Sequence, residues 1–180
     1  GAAKGIGSGS GFVMRGVGSY GVGAAVVSSI VTSINGHSVN PSIMNDMGFM
    51  DLERVEVLNG PQGTLFGRNS VAGVINLITA RPTDEFEGYM DYEAGTFEKE
   101  TVKGAINMPI SDTVRARLAF MSNVREGMVD NPFTGNKMDD RNDQAVRLSI
   151  DWDINDKTEL KFTYSGQKSD DNRPQEEVSY

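Results

Sequence analysis

Seventeen basic against twenty-five acidic residues in a chain of 180 give a net charge of -8 and a pI near 4.7, a balance that repels phosphate backbones and argues against nucleic acid as a partner. The chain has no cysteine and one histidine, His37, which excludes disulfides, thiolate metal sites and histidine clusters and leaves only carboxylates to build a metal site. No run approaches the roughly 18 uninterrupted apolar residues of a transmembrane helix; even residues 21–34 are cut by Gly, Ser and Thr.

A transmembrane β-strand asks for less, about 9 to 11 residues with every second one apolar. A mean hydropathy of -0.36 therefore leaves a membrane barrel open. The sequence starts at Gly1 with neither an initiator Met nor a basic-then-apolar leader, and the expectation is a fragment whose targeting signal lies outside it.

In chain order, the first 23 residues carry nine glycines among Ser and Ala, followed by β-branched runs such as "AVVSSIVTSING" and "RVEVLNG" separated by turn residues. "INGHSVN" predicts a turn at His37. No Ser or Cys nucleophile pattern stands nearby, so a surface or turn histidine is the better reading than a catalytic one. "MNDMGFMDLER", residues 44–54, predicts a short helix with Asn45 or Asp46 as its cap.

"RVEVLNGPQGTLFGRNSVAGVINLIT", residues 54–79, reads as two strands, 54–58 and 73–79, joined by a turn-rich loop. The second is apolar on almost both faces, as a buried central strand would be. The loop does not space as a phosphate cradle. Three residues separate Gly63 from Gly67, Arg68 and Asn69 follow in place of Lys and Ser/Thr, and Gly60, Gly63 and Gly67 miss the dinucleotide fingerprint. Composition changes at Pro82, which sets a boundary between a small mixed α/β domain, 1–82, and a second region, 83–180.

Beyond Pro82 the period is two. Val114, Ala116, Leu118 and Phe120 alternate with Arg115, Arg117, Ala119 and Met121; Val146, Leu148, Ile150 and Trp152 alternate with Arg147, Ser149, Asp151 and Asp153. Leu160, Phe162 and Tyr164 do the same, as do Val102, Gly104, Ile106 and Met108, and a weaker strand covers 86–94. Five strands result, with no helix between them. Residues 109–112 and 155–157 predict tight turns, while 95–99 and the long polar stretch 126–142 predict loops at the opposite end. A bacterial outer-membrane barrel has that asymmetry. A soluble meander with one wet face gives the same alternation. Strands of about a dozen residues, longer than the usual 5 to 6, and aromatics near strand ends (Phe86, Phe120, Trp152, Tyr164) favour the barrel.

Residues 51–82, "DLERVEVLNGPQGTLFGRNSVAGVINLITARP", closely resemble the end of the plug domain of TonB-dependent outer-membrane receptors, and "FVMRGVGS", residues 12–19, resembles that domain's early strand motif. In that family the plug fills a large barrel and runs from a Thr-x-x-Pro end, here Thr79 to Pro82, into the first barrel strand. The resemblance implies a mainly β fold: a plug, 1–82, lacking its N-terminal part, then the first about five strands of an incomplete transmembrane barrel, 83–180. Gly60, Pro61, Gly63, Gly67, Arg68 and Asn69 match the plug motif and carry structural roles in turns and close packing. Arg54, Glu56 and Arg68 match charged positions that could meet inward-facing barrel residues such as Arg115 or Asp151; they read equally well as solvated charges. Asn59 departs from the Arg usual in the family, so no salt bridge is carried onto it.

The resemblance further implies active import of a scarce nutrient, most often a ferric siderophore, across the outer membrane of a Gram-negative bacterium. The implied partners are the TonB energy-transducing protein, acting on a segment upstream of this chain, the ligand, and outer-membrane lipid. No enzyme activity, cofactor or metal is assigned. Asp139, Asp140 and Asp143 lack the EF-hand spacing and read as a solvated loop; the nine methionines read as packing. Two rivals predict different structures. A soluble β-rich binding or adhesion module requires a closed sheet burying Leu118, Leu148 and Phe162, and an enzyme requires a pocket with a nucleophile or base beside Gly63.

Overall fold

The computed structural model describes residues 13–14, 17–18, 30–39, 49–60, 73–130, 135 and 137–170, and apart from Phe49, in a 3-10 conformation, their regular structure is strand. The chain divides into two compact units, Gly1–Ala80 and Arg81–Tyr180.

In the first unit, β1 (Val13–Met14) and β2 (Val17–Gly18) form a short antiparallel ladder. β3 (Ile30–Ile34), β4 (His37–Val39), β5 (Leu52–Asn59) and β6 (Gly73–Thr79) form a sheet of order β4-β3-β6-β5, in which only the β3–β6 pair is parallel. Asn35 and Gly36 close the β3–β4 hairpin with positive φ angles of 50° and 80°. A two-residue hairpin turn needs that geometry at both positions, and Asn-Gly supplies it at least cost.

β6 is central and buried along nearly its whole length. Its Ile75 and Leu77 pack with Ile30 as the core of this unit, flanked by Ile34, Val39 and Leu52. Each such side chain removed from water contributes about 1.5–3 kcal/mol. The expectation of a buried central strand at 73–79 holds.

Two expectations in this unit change. Residues 52–54 of the anticipated helix are the start of β5, after a turn through Phe49–Asp51; residues 44–48 lie outside the described residues. Leu52, Val55 and Val57 make β5 a good ladder partner for β6, and pairing from Leu52 to Thr79 overrides a local capping signal. His37 opens β4 rather than sitting in the turn, and it is exposed.

The second unit is one antiparallel meander. β7 (Glu87–Gly95), β8 (Lys99–Ser111), β9 (Val114–Arg125), β12 (Arg141–Asn155) and β13 (Thr158–Ser169) lie in the order β13-β12-β9-β8-β7, with β10 (Val129–Asp130) and β11 (Lys137–Met138) paired as a small hairpin between β9 and β12. The stretch expected to be loop, 126–142, therefore holds that hairpin, and β12 has begun by Arg141. The turn expected at 109–112 shrinks to Asp112–Thr113, because β8 continues through a register irregularity between Pro109 and Ser111; Pro cannot donate to the ladder and is accommodated there.

Asp112–Thr113 and Asp156–Lys157 are tight connections at one end, with Asn155 Oδ1 accepting from the Lys157 N–H at 3.0 Å. The Thr96–Glu98 turn and residues 126–130 and 137–140 stand at the other, tied by the Glu126 N–H to the Phe97 carbonyl at 2.9 Å. The sheet is open: among the described residues β7 and β13 each pair on one side only.

Candidate functional site

The five-stranded sheet has two faces of opposite character, and the burial is the reverse of that in a water-soluble meander. On β12, Asp143, Ala145, Arg147, Ser149 and Asp151 are buried, while Val146 and Trp152 are exposed. Registered rows continue each face across the sheet. One buried-face row runs Glu87, Asn107, Arg117, Ser149, Thr163, and the next runs Tyr89, Ala105, Ala119, Arg147, Ser165.

Outward rows run Met108, Ala116, Ile150, Phe162 and Ile106, Leu118, Leu148, Tyr164. Trp152 is 44% exposed and Phe162 51%, so the apolar stripe is not the core of a closed globule, as the soluble binding module required. The stripe on β12 runs from Val146 to Ile154. At about 3.3 Å per residue its eight steps span roughly 26 Å, or roughly 20 Å at a tilt near 40°, close to the ~25 Å apolar band of an outer-membrane barrel. Gln144 and Asn142 continue the same face in polar character.

The buried face carries charge, and the charges are paired. Arg81 reaches Asp151, which is 5% exposed, and donates to Thr163 Oγ1 at 3.2 Å. Arg115 bonds Asp153 at 2.6 Å and Asp84 at 3.2 Å. Asp143 accepts from Ser169 Oγ and lies 3.9 Å from Arg141. Arg125 holds Asp139 at 2.9 Å.

Burying a charged group is costly unless it finds an opposite charge or several hydrogen bonds. Of the acidic cluster read as a solvated loop, Asp143 is buried in β12 and Asp139 is ion-paired; the alternation of β12 put Asp143 on the buried face. Among the described residues no group of three or more His, Asp or Glu is arranged to hold a metal.

The segment leading into β7 is held on this face without being a strand. Asn107, at 0% exposure, accepts the Thr83 N–H at 3.0 Å and donates to the Thr83 carbonyl at 2.9 Å, to Thr83 Oγ1 at 2.9 Å and to the Glu85 carbonyl. Sequence reading missed Asn107. Its only signal is an amide in the polar register of an otherwise ordinary alternating strand.

In the first unit the polar row Ser33, Asn76, Glu56 crosses β3, β6 and β5. Asn76 Oδ1 accepts from Ser33 Oγ at 2.8 Å and from the Gly36 N–H at 3.0 Å, and its amide donates to Glu56 at 3.0 Å. Asn35 Oδ1 accepts the Thr79 N–H at 3.0 Å. Arg54 bonds Glu56 at 2.9 Å and Glu53 at 2.5 Å. The Asn76 amide and then Arg54 hold the Glu56 carboxyl below the ordinary glutamate value.

Arg54 and Glu56 thus bond within their own unit. Gly60 ends β5 with φ of 87°, a conformation that glycine adopts without strain. Pro61, Gly63, Gly67, Arg68 and Asn69 lie outside the described residues.

The profile of the family described as TonB-dependent Receptor Plug Domain matches residues 2–74. The pesticin receptor of Yersinia pestis is 34% identical over 88 residues, 47% of this chain and 13% of that protein. The ferrioxamine B receptor of Salmonella typhimurium is 32% identical over 128 residues, 70% of this chain and 16% of that protein. Among solved structures, the ferric yersiniabactin uptake receptor FyuA from Yersinia pestis superposes with a TM-score of 0.70 at 22% identity, over 78% of this chain and 23% of its own. The open form of the ferric-catecholate import receptor Fiu from E. coli K12 gives 0.68 at 22% identity, over 87% and 21%. The chain therefore spans less than a quarter of the length of any of these four proteins. Residues 2–74 thus match the plug family of the TonB-dependent receptors, and the antiparallel strands that follow, with their apolar face exposed, share the fold of the solved receptors.

Proposed function

We propose that this chain is the gating end of an outer-membrane importer: residues 1–82 form a plug, 83–180 the first strands of the surrounding barrel, and the whole receptor takes up a ferric siderophore into a Gram-negative periplasm. It is a transporter and not an enzyme. The observation that carries the reading is the polarity of the sheet. Strands with a buried, ion-paired face and an exposed apolar stripe suit a wall between lipid and a filled lumen.

A plug allows a wide barrel to admit one bulky ligand without an open leak, and the transducing protein TonB would supply the energy to move it. Several relatives are named for ferric siderophores, including the ferripyoverdine receptor of Pseudomonas aeruginosa. That supports the class of cargo and leaves the particular siderophore to experiment.

The test is uptake of radiolabelled iron by a receptor-deficient Gram-negative strain expressing the full-length protein. Ferric complexes of ferrioxamine B, pyoverdine and yersiniabactin would be supplied one at a time, with and without functional TonB. The proposal expects TonB-dependent accumulation with at least one complex. Accumulation that persists without TonB would overturn it.

A further inference from the structure

The importer reading requires the plug to move while the barrel stays intact, and the geometry of residues 81–85 bears on where along the chain that movement ends. The crossing between units is tied down on both sides. Ala80 donates its N–H to the Asp51 carbonyl within the first unit at 2.9 Å. Three residues later the Thr83 N–H is held by Asn107 of β8.

Between them, Arg81 is fixed to Asp151 and Thr163 on β12 and β13, and Pro82 has its φ locked by its ring. Asp84 is then held by Arg115 of β9. Five residues without regular structure thus engage four of the five strands. The centre of the arrangement is a buried amide that offers two N–H protons to three acceptors and takes one N–H in return. A flexible tether would need none of this, and an isolated buried Asn is costly unless its hydrogen bonds are met.

We propose that Asn107 is a positioning residue that clamps residues 81–85 to the polar face of the sheet, so that displacement of the preceding unit ends at Ala80 and is not passed into β7. The clamp rests on the importer reading for its purpose, but its existence is measured without any transport. In the full-length protein in detergent, Asn107→Ala removes the acceptor of the Thr83 N–H and speeds amide exchange at Thr83 by about tenfold or more. Asn107→Asp keeps that acceptor but turns a carboxylate oxygen toward the Thr83 and Glu85 carbonyls, so protection falls here too, whereas a general packing role would tolerate so nearly isosteric a change.

Pulling between handles at Gly1 and the Asp156–Lys157 turn gives a second readout. With Asn107 intact the plug lengthens in steps that stop at Ala80. Asn107→Ala releases residues 81–86 as well, about 20 Å more at ~3.5 Å per residue. Should Asn107→Ala fail to fold, Arg81→Gln makes the same two measurements from the other side of the crossing.

Unchanged Thr83 exchange in a folded Asn107→Ala protein, or an identical final extension, would overturn the clamp. No TonB-dependent siderophore uptake by the unaltered receptor, with the clamp measurements as expected, would instead count against the importer reading.

Discussion

Arginine placed on the outward stripe separates a lipid-facing wall from a wet surface by energy alone. Ile150 sits midway along the Val146–Ile154 stripe of β12, with Ala116 and Phe162 beside it in register. If that stripe faces hydrocarbon, Ile150→Arg buries a guanidinium near the bilayer midplane, at a cost of about 2–4 kcal/mol, a factor of roughly 30 to 1,000 in the folding equilibrium. Gln144→Arg, on the same face three outward positions above, lies at the polar margin and costs about 0–1 kcal/mol.

On a solvated sheet both substitutions stay within about 0.5 kcal/mol of neutral. The assay is reversible folding of the full-length protein into lipid vesicles across a denaturant gradient. Comparing the two variants cancels most unfolded-state effects. Equal midpoints for Ile150→Arg and Gln144→Arg would refute the lipid-facing assignment.

Further outcomes follow from the same geometry. Asn76→Ala strips the acceptor from the Gly36 N–H and from buried Ser33, and should cost about 1–3 kcal/mol, seen as faster amide exchange at Gly36. Glu56 titrates lower folded than unfolded, so its contribution is present above pH 4.5 and is lost as pH falls from there through the folded value. Glu56→Gln should flatten that acid limb, and an unaltered limb would assign it elsewhere. Gly104→Ala would set a Cβ 2.6 Å from the Tyr89 carbonyl oxygen and 3.0 Å from the Phe120 ring, forcing β7 from β8 at about 1–3 kcal/mol, measurable as a lowered unfolding midpoint. The 180-residue chain expressed alone should aggregate or require detergent, since its apolar stripe and both sheet edges would meet water; a soluble monomer with a cooperative melt would contradict this.

Sequence periodicity carried the strands but not the sign of their faces. Alternation at residues 145–152 says that Val146, Leu148, Ile150 and Trp152 share a face, and it reads the same whether that face is a core or a membrane surface. Only burial distinguishes them, and burial is a tertiary property. Strand length and aromatic placement pointed the right way because a membrane imposes a thickness that a soluble sheet does not.

The helix expected at 44–54 was misread over its last residues because Asn45, Asp46 and Glu53 satisfy local helix signals, whereas the ladder to β6 is long-range. The hairpin at Val129–Met138 was hidden for the opposite reason. Two-residue strands leave no periodic trace among Asp, Asn and Gly. The hold on residues 81–85 was illegible, since it joins positions 22 to 82 residues apart in sequence and nothing in Thr83 or Asn107 marks them as partners.

The most direct measurement reads which face of β12 meets lipid. The 180 residues contain no cysteine, so single cysteines at positions 146 to 151 of the full-length protein in vesicles can carry a spin label one at a time. Its relaxation is then compared under oxygen, which concentrates in hydrocarbon, and under a water-soluble nickel complex. Labels at Val146, Leu148 and Ile150 should respond to oxygen and hardly to nickel, with Arg147, Ser149 and Asp151 protected from oxygen. Oxygen access without alternation, or alternation with the two sets exchanged, would contradict a barrel wall.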